Sequence, residues 1–226
     1  MSEPSLVVFD VDGTLVDSQH HILDAMQFAF ARAGLPLPER EMALSVVGLS
    51  LHEAMTALAP QLPAADLAAL VAHYRHSAVT RREAGDGVAP LYPGARDALD
   101  RLAARPDTLI GVATGKARRG LDHLLAAHDL GRLVVTAQTA DDHPSKPHPS
   151  MLLAALAETG VAPGRAVMVG DTEFDMAMGA AAGLATIGVA WGYHPPARLA
   201  AAGADVVLES FDALDAAVAR LLQGRA

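Results

Sequence analysis

The chain has 226 residues, no cysteine and a formal charge of −9. At this length folding buries roughly 70–75% of the unfolded surface, enough for one domain with a substantial insertion or for two small domains. The missing cysteines exclude disulfides, thiolate metal sites and a thiol nucleophile, so a metal must sit on oxygen or imidazole ligands; the acidic balance argues against a nucleic-acid binder while leaving room for a small anion held by a local field.

No apolar run reaches the roughly 18–20 residues of a membrane span, and acidic Glu3 stands where a basic leader would begin, so a cytoplasmic protein without a membrane partner is expected. The first element is the apolar run Leu6-Val7-Val8-Phe9, a strand that delivers Asp10-Val11-Asp12-Gly13-Thr14. Alternate side chains of a strand share a face, so Asp10 and Asp12 would point the same way. Gly13 lets the chain turn sharply and leaves backbone N–H groups free to face an anion. Adjacent carboxylates repel, so the pair implies a bound cation or a retained proton. A solvated Asp-Gly turn is the alternative for the pentapeptide alone.

Residues 18–83 carry helical signals only, with apolar periodicity over 21–33, 51–58 and 66–80, and read as a helical insertion. The hinges fall at 16–18 and at 83–92, the latter rich in Gly and Pro. From 93 onward helices (93–103, 117–126, 149–158, 173–182, 196–201, 214–222) alternate with strands (108–113, 133–136, 166–169, 185–189, 205–208). Such alternation specifies an α/β protein whose parallel sheet has helices on both faces and carries its site on loops at the carboxyl ends of the strands.

Three loops of that kind hold polar candidates. Thr114-Gly115-Lys116 follows a strand, placing a hydroxyl and free N–H donors where a phosphate oxygen could dock. Lys146-Pro147 precedes a helix, and its ammonium could neutralise a phosphate and an attacking carboxylate. Asp171 follows another apolar strand, with Asp175 one helical turn on and on the same face. Each has a plainer reading: Thr114 and Thr172 as helix caps, Lys146 as a solvated loop residue, Asp171 and Asp175 as first-turn acids. Lys116 and Lys146 are the only lysines among 17 basic residues, and both lie in strand-to-helix loops, where a compact point charge does what an arginine fork would not.

Taken together, Asp10 to Thr14, Thr114, Lys146-Pro147 and Gly170-Asp171 through Asp175 resemble the four motifs of the haloacid dehalogenase-like hydrolase superfamily, in order and over nearly the whole chain. The insertion resembles the helical cap of its phosphoglycolate phosphatase-like and beta-phosphoglucomutase-like branch, and Trp191-Gly192-Tyr193 resembles the C-terminal region of that branch. The resemblance implies a Rossmann-like core domain (1–16 and 84–226) and a small inserted helical cap domain (17–83). It also implies that Asp10 attacks phosphorus to form an aspartyl-phosphate, while Asp12 protonates the leaving alcohol and later activates water. Mg²⁺ would be held by the Asp10 carboxylate, the Asp12 main-chain carbonyl and Asp171, with Asp175 orienting that shell. Gly13, Thr114, Gly115 and Lys146 would grip the phosphoryl oxygens.

Asp12 is absent from the carbon–halogen and carbon–phosphorus cleaving branches that this one resembles, so phosphate esters are favoured. The expected partner is a small phosphorylated metabolite, with 2-phosphoglycolate put forward by resemblance alone. Specificity would come from the cap loop Gly48-Leu49-Ser50 and from His52. The mutase branch carries an arginine after Gly-x-Ser, whereas Leu51 and His52 stand there in this chain. A phosphosugar mutase and a phospho-receiver signalling domain are the rival readings. His20, His21, His52 and His194 lie near the expected site walls and read mainly as packing or surface groups. His73 and His76 read as solvated, and Arg81-Arg82 as a charged helix end. A monomer and a homodimer are equally open.

Overall fold

The structure, a computed structural model, describes residues 3–84 and 88–224. Strand β1 (Ser5–Phe9) is buried along its whole length. Its alternation feeds two layers: Val7 and Phe9 enter the core beneath α5 (Ala95–Ala103), α6 (Arg118–Ala127) and α10 (Leu214–Gln223), while Leu6 and Val8 enter the core beneath α7 (Ser150–Thr159) and α8 (Glu173–Ala181). A strand packed on both faces must be apolar throughout, which is why its sequence reads as an unbroken run.

With β2 (Thr108–Thr114), β3 (Val134–Thr139), β4 (Ala166–Gly170), β5 (Ala185–Val189) and β6 (Val206–Leu208), β1 forms a parallel sheet in the order β3-β2-β1-β4-β5-β6. The strand order reverses between β1 and β4, so a crevice opens beyond their carboxyl ends. Phe9 is in register with both Val112 and Val169, which brings Asp10, Thr114 and Asp171 to one rim of the sheet.

Residues 18–83 form α1 (Gln19–Arg32), α2 (Arg40–Ser45), α3 (Leu51–Leu58) and α4 (Ala64–Glu83). Their apolar faces, including Met26, Phe30, Leu44, Met55 and Leu70, make a cluster of their own. Helix α2 is not apparent from the sequence, because its six residues are too few to display a 3.6-residue period. The two connections to the sheet run side by side: Asp17 N–H donates to Pro90 O at 2.9 Å and Tyr92 N–H to Leu15 O at 2.9 Å, flanking an antiparallel bridge between Val16 and Leu91. Part of the predicted 83–92 hinge, residues 85–87, lies outside the described residues.

Strand β3 runs further than the predicted 133–136 because its polar end is hydrogen-bonded: the buried Gln138 amide donates to Thr136 Oγ1 at 2.9 Å and to Oε2 of the exposed Glu158 at 2.8 Å. The short helix α9 (Pro196–Ala201) precedes β6. Among the described residues no helix is long and apolar enough to cross a membrane.

Candidate active site

Three carboxylates meet at the switch point. Asp10 leaves β1, its N–H bonded to Val169 O at 2.9 Å, and Asp171 leaves β4. Asp175 comes from the first turn of α8, whose capping box fixes it: Thr172 accepts from Asp175 N–H at 3.4 Å, and Asp175 Oδ2 accepts from Thr172 N–H at 3.0 Å and its hydroxyl at 2.7 Å. One oxygen of each of Asp10, Asp171 and Asp175 lies within 4.8 Å of the others, and all three residues are buried. Lys146 reaches in from the loop before α7 and donates to Asp10 Oδ1 and Asp175 Oδ1, both at 2.7 Å. The Lys146–Pro147 peptide is cis.

Burial pushes the Asp10 carboxyl up to about 7, with Lys146 opposing and Asp175 adding to the rise. Burial, then Asp10 and Asp175, hold Asp171 well above the usual carboxylate range, although its oxygens accept from Thr14 Oγ1 and Tyr193 N–H, each at 2.8 Å. Burial works against the Lys146 charge, yet the two carboxylates outweigh it and hold the ammonium above its ordinary range.

One ammonium cannot balance three buried carboxylates, so without a further positive charge the cluster holds on to protons, as the raised Asp10 and Asp171 carboxyls show. Asp10 Oδ2 is buried without a hydrogen-bond partner. Such a donor set, all oxygen and over-supplied with negative charge, fits a divalent cation of the Mg²⁺ type.

Asp12 turns the other way. Its Oδ2 pairs with Lys116 Nζ at 3.0 Å, its Oδ1 is buried and unpartnered, and it lines a cavity of about 630 Å³ between the sheet rim and the helical insertion. The Asp12 carboxylate therefore stands outside the carboxylate cluster. Asp175, expected to orient the metal shell, lies in the same cluster as Asp10 and Asp171, with its oxygens engaged by Lys146 and Thr172.

Thr114 is buried at the end of β2, where its Oγ1 accepts from Lys116 N–H at 3.2 Å and its proton is left to donate. Gly13 has a φ of 90°, and a Cβ there would sit 2.2 Å from Asp171 Oδ2, so the turn after Asp12 has no room for a side chain. Gly115 is equally confined: a Cβ would lie 2.5 Å from Leu49 O and 2.7 Å from Gly48 O. The loop Gly48-Leu49-Ser50 thus presses on the strand end that carries Thr114, and Ser50 N–H donates to Ser145 Oγ at 2.8 Å. Gly48, Leu49, Ser50 and His52 all line the cavity, with His52 exposed at its rim.

Several contacts escaped the sequence analysis because they join segments far apart in the chain. These are the Lys116–Asp12 pair, the Ser145–Ser50 bond, the Trp191 Nε1 bond to Thr14 O at 3.1 Å and the Ser18–Tyr193 hydroxyl contact at 3.0 Å. His194 is buried and packs as expected: Glu173 N–H donates to its Nδ1 at 3.1 Å, and its Nε2 donates to Ser45 O at 3.0 Å. His20 pairs with Asp24 at 3.2 Å, as does Arg81 at 2.7 Å; His76 is exposed and lies against Phe28.

A parallel α/β sheet with a carboxylate cluster at its switch point and an acid facing a cavity is the architecture of a hydrolytic enzyme that works at the sheet's carboxyl edge. The chain belongs to the haloacid dehalogenase-like hydrolases, whose family model matches residues 7–189, and is of the phosphatase type. It is 35% identical over 221 residues to the probable phosphatase IndB of Dickeya dadantii strain 3937, covering 96% of this chain and 95% of that one. It is 28% identical over 217 residues to a phosphoglycolate phosphatase of Photorhabdus laumondii, covering 92% and 89%. The fold matches the haloacid dehalogenase-like family protein of Streptococcus pneumoniae with a TM-score of 0.83 at 23% identity, over 96% of this chain and 99% of that one.

Proposed function

We propose that the protein is a Mg²⁺-dependent phosphomonoesterase that works through an aspartyl-phosphate on Asp10, with residues 17–83 acting as a cap over the site and a cytoplasmic setting. The observation that supports this reading is the different setting of two aspartates two residues apart on one cavity wall: Asp10 sits in the buried cluster beside Lys146, and Asp12 stands outside it beside Lys116.

Asp10, Asp171 and the Asp12 carbonyl would hold the cation. When bound, it would supply positive charge to the phosphoryl oxygens. The Asp10 carboxylate forms a bond to phosphorus as the ester P–O bond breaks, and the departing alkoxide takes a proton from Asp12. Asp12 then takes a proton from water, whose oxygen attacks phosphorus and releases Asp10. The Thr114 hydroxyl and the Gly115 amide would stabilise the charge on the phosphoryl group, while Lys146 offsets the negative charge at Asp10; the Gly13 N–H, expected to join them, is spent instead on Val16 O at 3.0 Å, which closes the turn. Buried donors and a closed cap keep bulk water from the first step.

Release of inorganic phosphate from a panel of esters with Mg²⁺ tests the reading, and 2-phosphoglycolate, brought forward by the resemblance, belongs in that panel. Release is expected with Mg²⁺, with loss in EDTA and in Asp10→Asn. Isomerisation of a sugar phosphate without phosphate release would favour the mutase instead, and undiminished release from Asp10→Asn would remove the nucleophile.

A further inference from the structure

We infer that the substrate is a phosphate monoester of a bulky, largely apolar alcohol, whose ring or alicyclic body lies in the cavity against α1 and α4, and that 2-phosphoglycolate is a poor substrate. This rests on the phosphomonoesterase reading above and concerns only what leaves with the oxygen.

Size is the first argument. The cavity holds about 630 Å³, whereas a water occupies about 30 Å³ of liquid, and glycolate has only a handful of heavy atoms. It would leave most of that space to water and gain little from the walls. Pockets of this volume suit ligands several times larger.

The lining is the second. Ile22 and Met26 of α1 and Val47 before α3 are buried residues that form the cavity floor, with Tyr74 and Val79 of α4 alongside them. Among the charged and imidazole groups of the lining, His52, Arg75, Arg119 and His123 are exposed, while His21 and His143 are half-buried. The cation beside Asp12, Lys116, is already paired with it at 3.0 Å, and Arg81 is held by Asp24 at 2.7 Å. A carboxylate one carbon from the ester oxygen would be desolvated beside apolar walls without a cation of its own. An apolar ring there instead exchanges water for Ile22, Met26 and Val47, with the Tyr74 ring available for edge or offset contact.

The test compares esters whose alcohols have similar acidity, so that the leaving tendency is matched: ethyl phosphate against 2-phenylethyl phosphate, with 2-phosphoglycolate as the third arm, all with saturating Mg²⁺. The expected result is a kcat/KM for 2-phenylethyl phosphate at least tenfold above either small ester, a difference of about 1.4 kcal/mol. Val79→Trp, which fills the cavity from α4, should lower the ratio of kcat/KM for the large ester to that for ethyl phosphate at least tenfold. Ala78→Leu, a smaller insertion at a half-buried cavity position, should lower it in the same direction and covers the case in which the tryptophan prevents folding. Equal or faster turnover of 2-phosphoglycolate, or a ratio unmoved by both substitutions, overturns the inference while leaving the phosphomonoesterase reading in place. No phosphate release from any ester, p-nitrophenyl phosphate included, overturns both.

Discussion

Lys146 Nζ lies 2.7 Å from Asp10 Oδ1 in a place where both side chains are almost wholly sealed from solvent. The same ammonium touches Asp175 at 2.7 Å, so one cation links Asp10, just beyond β1, to the helix that follows β4. An ion pair of this kind adds modest net stability while it is complete, but removing one partner strands the other.

Lys146→Met should therefore cost about 3–5 kcal/mol, which for a chain of this size lowers Tm by roughly 10 °C. Phosphate release should fall by orders of magnitude. Mg²⁺ should recover part of the lost Tm, because it replaces some of the missing positive charge. Thermal unfolding with and without Mg²⁺ checks both.

A second expectation follows from Asp10, whose carboxyl is held at about 7 against an ordinary 3.8, chiefly by burial. Between those values the folded chain keeps a proton that the unfolded chain has released, so this group's stabilising contribution is present below the lower value and is lost as pH rises towards the upper one. Asp10→Asn removes that dependence, since an amide does not ionise. Without metal, wild type and Asp10→Asn should unfold at similar temperatures near pH 4, and the wild type should unfold several degrees lower near pH 8. Mg²⁺ should close the gap at pH 8. A constant difference across that range would remove the buried-carboxyl account.

His194 gives the opposite sign. Burial holds its imidazole below the ordinary 6.5, and the ring is neutral, with Nδ1 accepting from Glu173 N–H and Nε2 donating to Ser45 O. Protonation would set an N–H against the Glu173 N–H. Its contribution to stability is whole above pH 6.5 and is lost as pH falls below it. The loss should be absent in His194→Gln, measured as the pH dependence of Tm between pH 5 and 7.

Gly115→Ala tests the approach of the cap loop. The added methyl would meet the main-chain oxygens of Gly48 and Leu49, which cannot swing aside as a side chain would. Residues 48–50 must then withdraw, breaking the Ser50 to Ser145 bond. At least a tenfold fall in kcat/KM is expected with a Tm change of a few degrees, because the contact orders the site more than it holds the fold. Unchanged kinetics would mean that this loop does not position the substrate.

The order of elements was readable because the central strands β1, β2, β4 and β5 are buried on both faces, so runs such as Val167-Met168-Val169 stand out from the helices without tertiary information. The positions of Asp10, Thr114 and Asp171 followed, since each is the first polar residue after such a run. What stayed hidden is whatever depends on pairing across the chain. Nothing local to Asp12 announces Lys116, and nothing local to Ser50 announces Ser145. Asp175 read as one more acid in a first helical turn, and only the convergence of three segments shows it beside Asp10. Arg40–Ser45 was lost for want of length, and the end of β3 because Gln138 and Thr139 look like loop until Glu158 is seen beside them.

Strand β1 has consequences for the birth of the protein. It leaves the ribosome before both of its neighbours in the sheet, which pair with it through Val112 and Val169. Helices α1 to α4 meet their own apolar partners within residues 22–71 and can condense while synthesis continues. Asp10 must wait, tethered to an unpaired apolar segment, until β4 has emerged. Nascent chains arrested before β4 should accordingly expose Leu6 to Phe9 to chaperones, and those released after it should not.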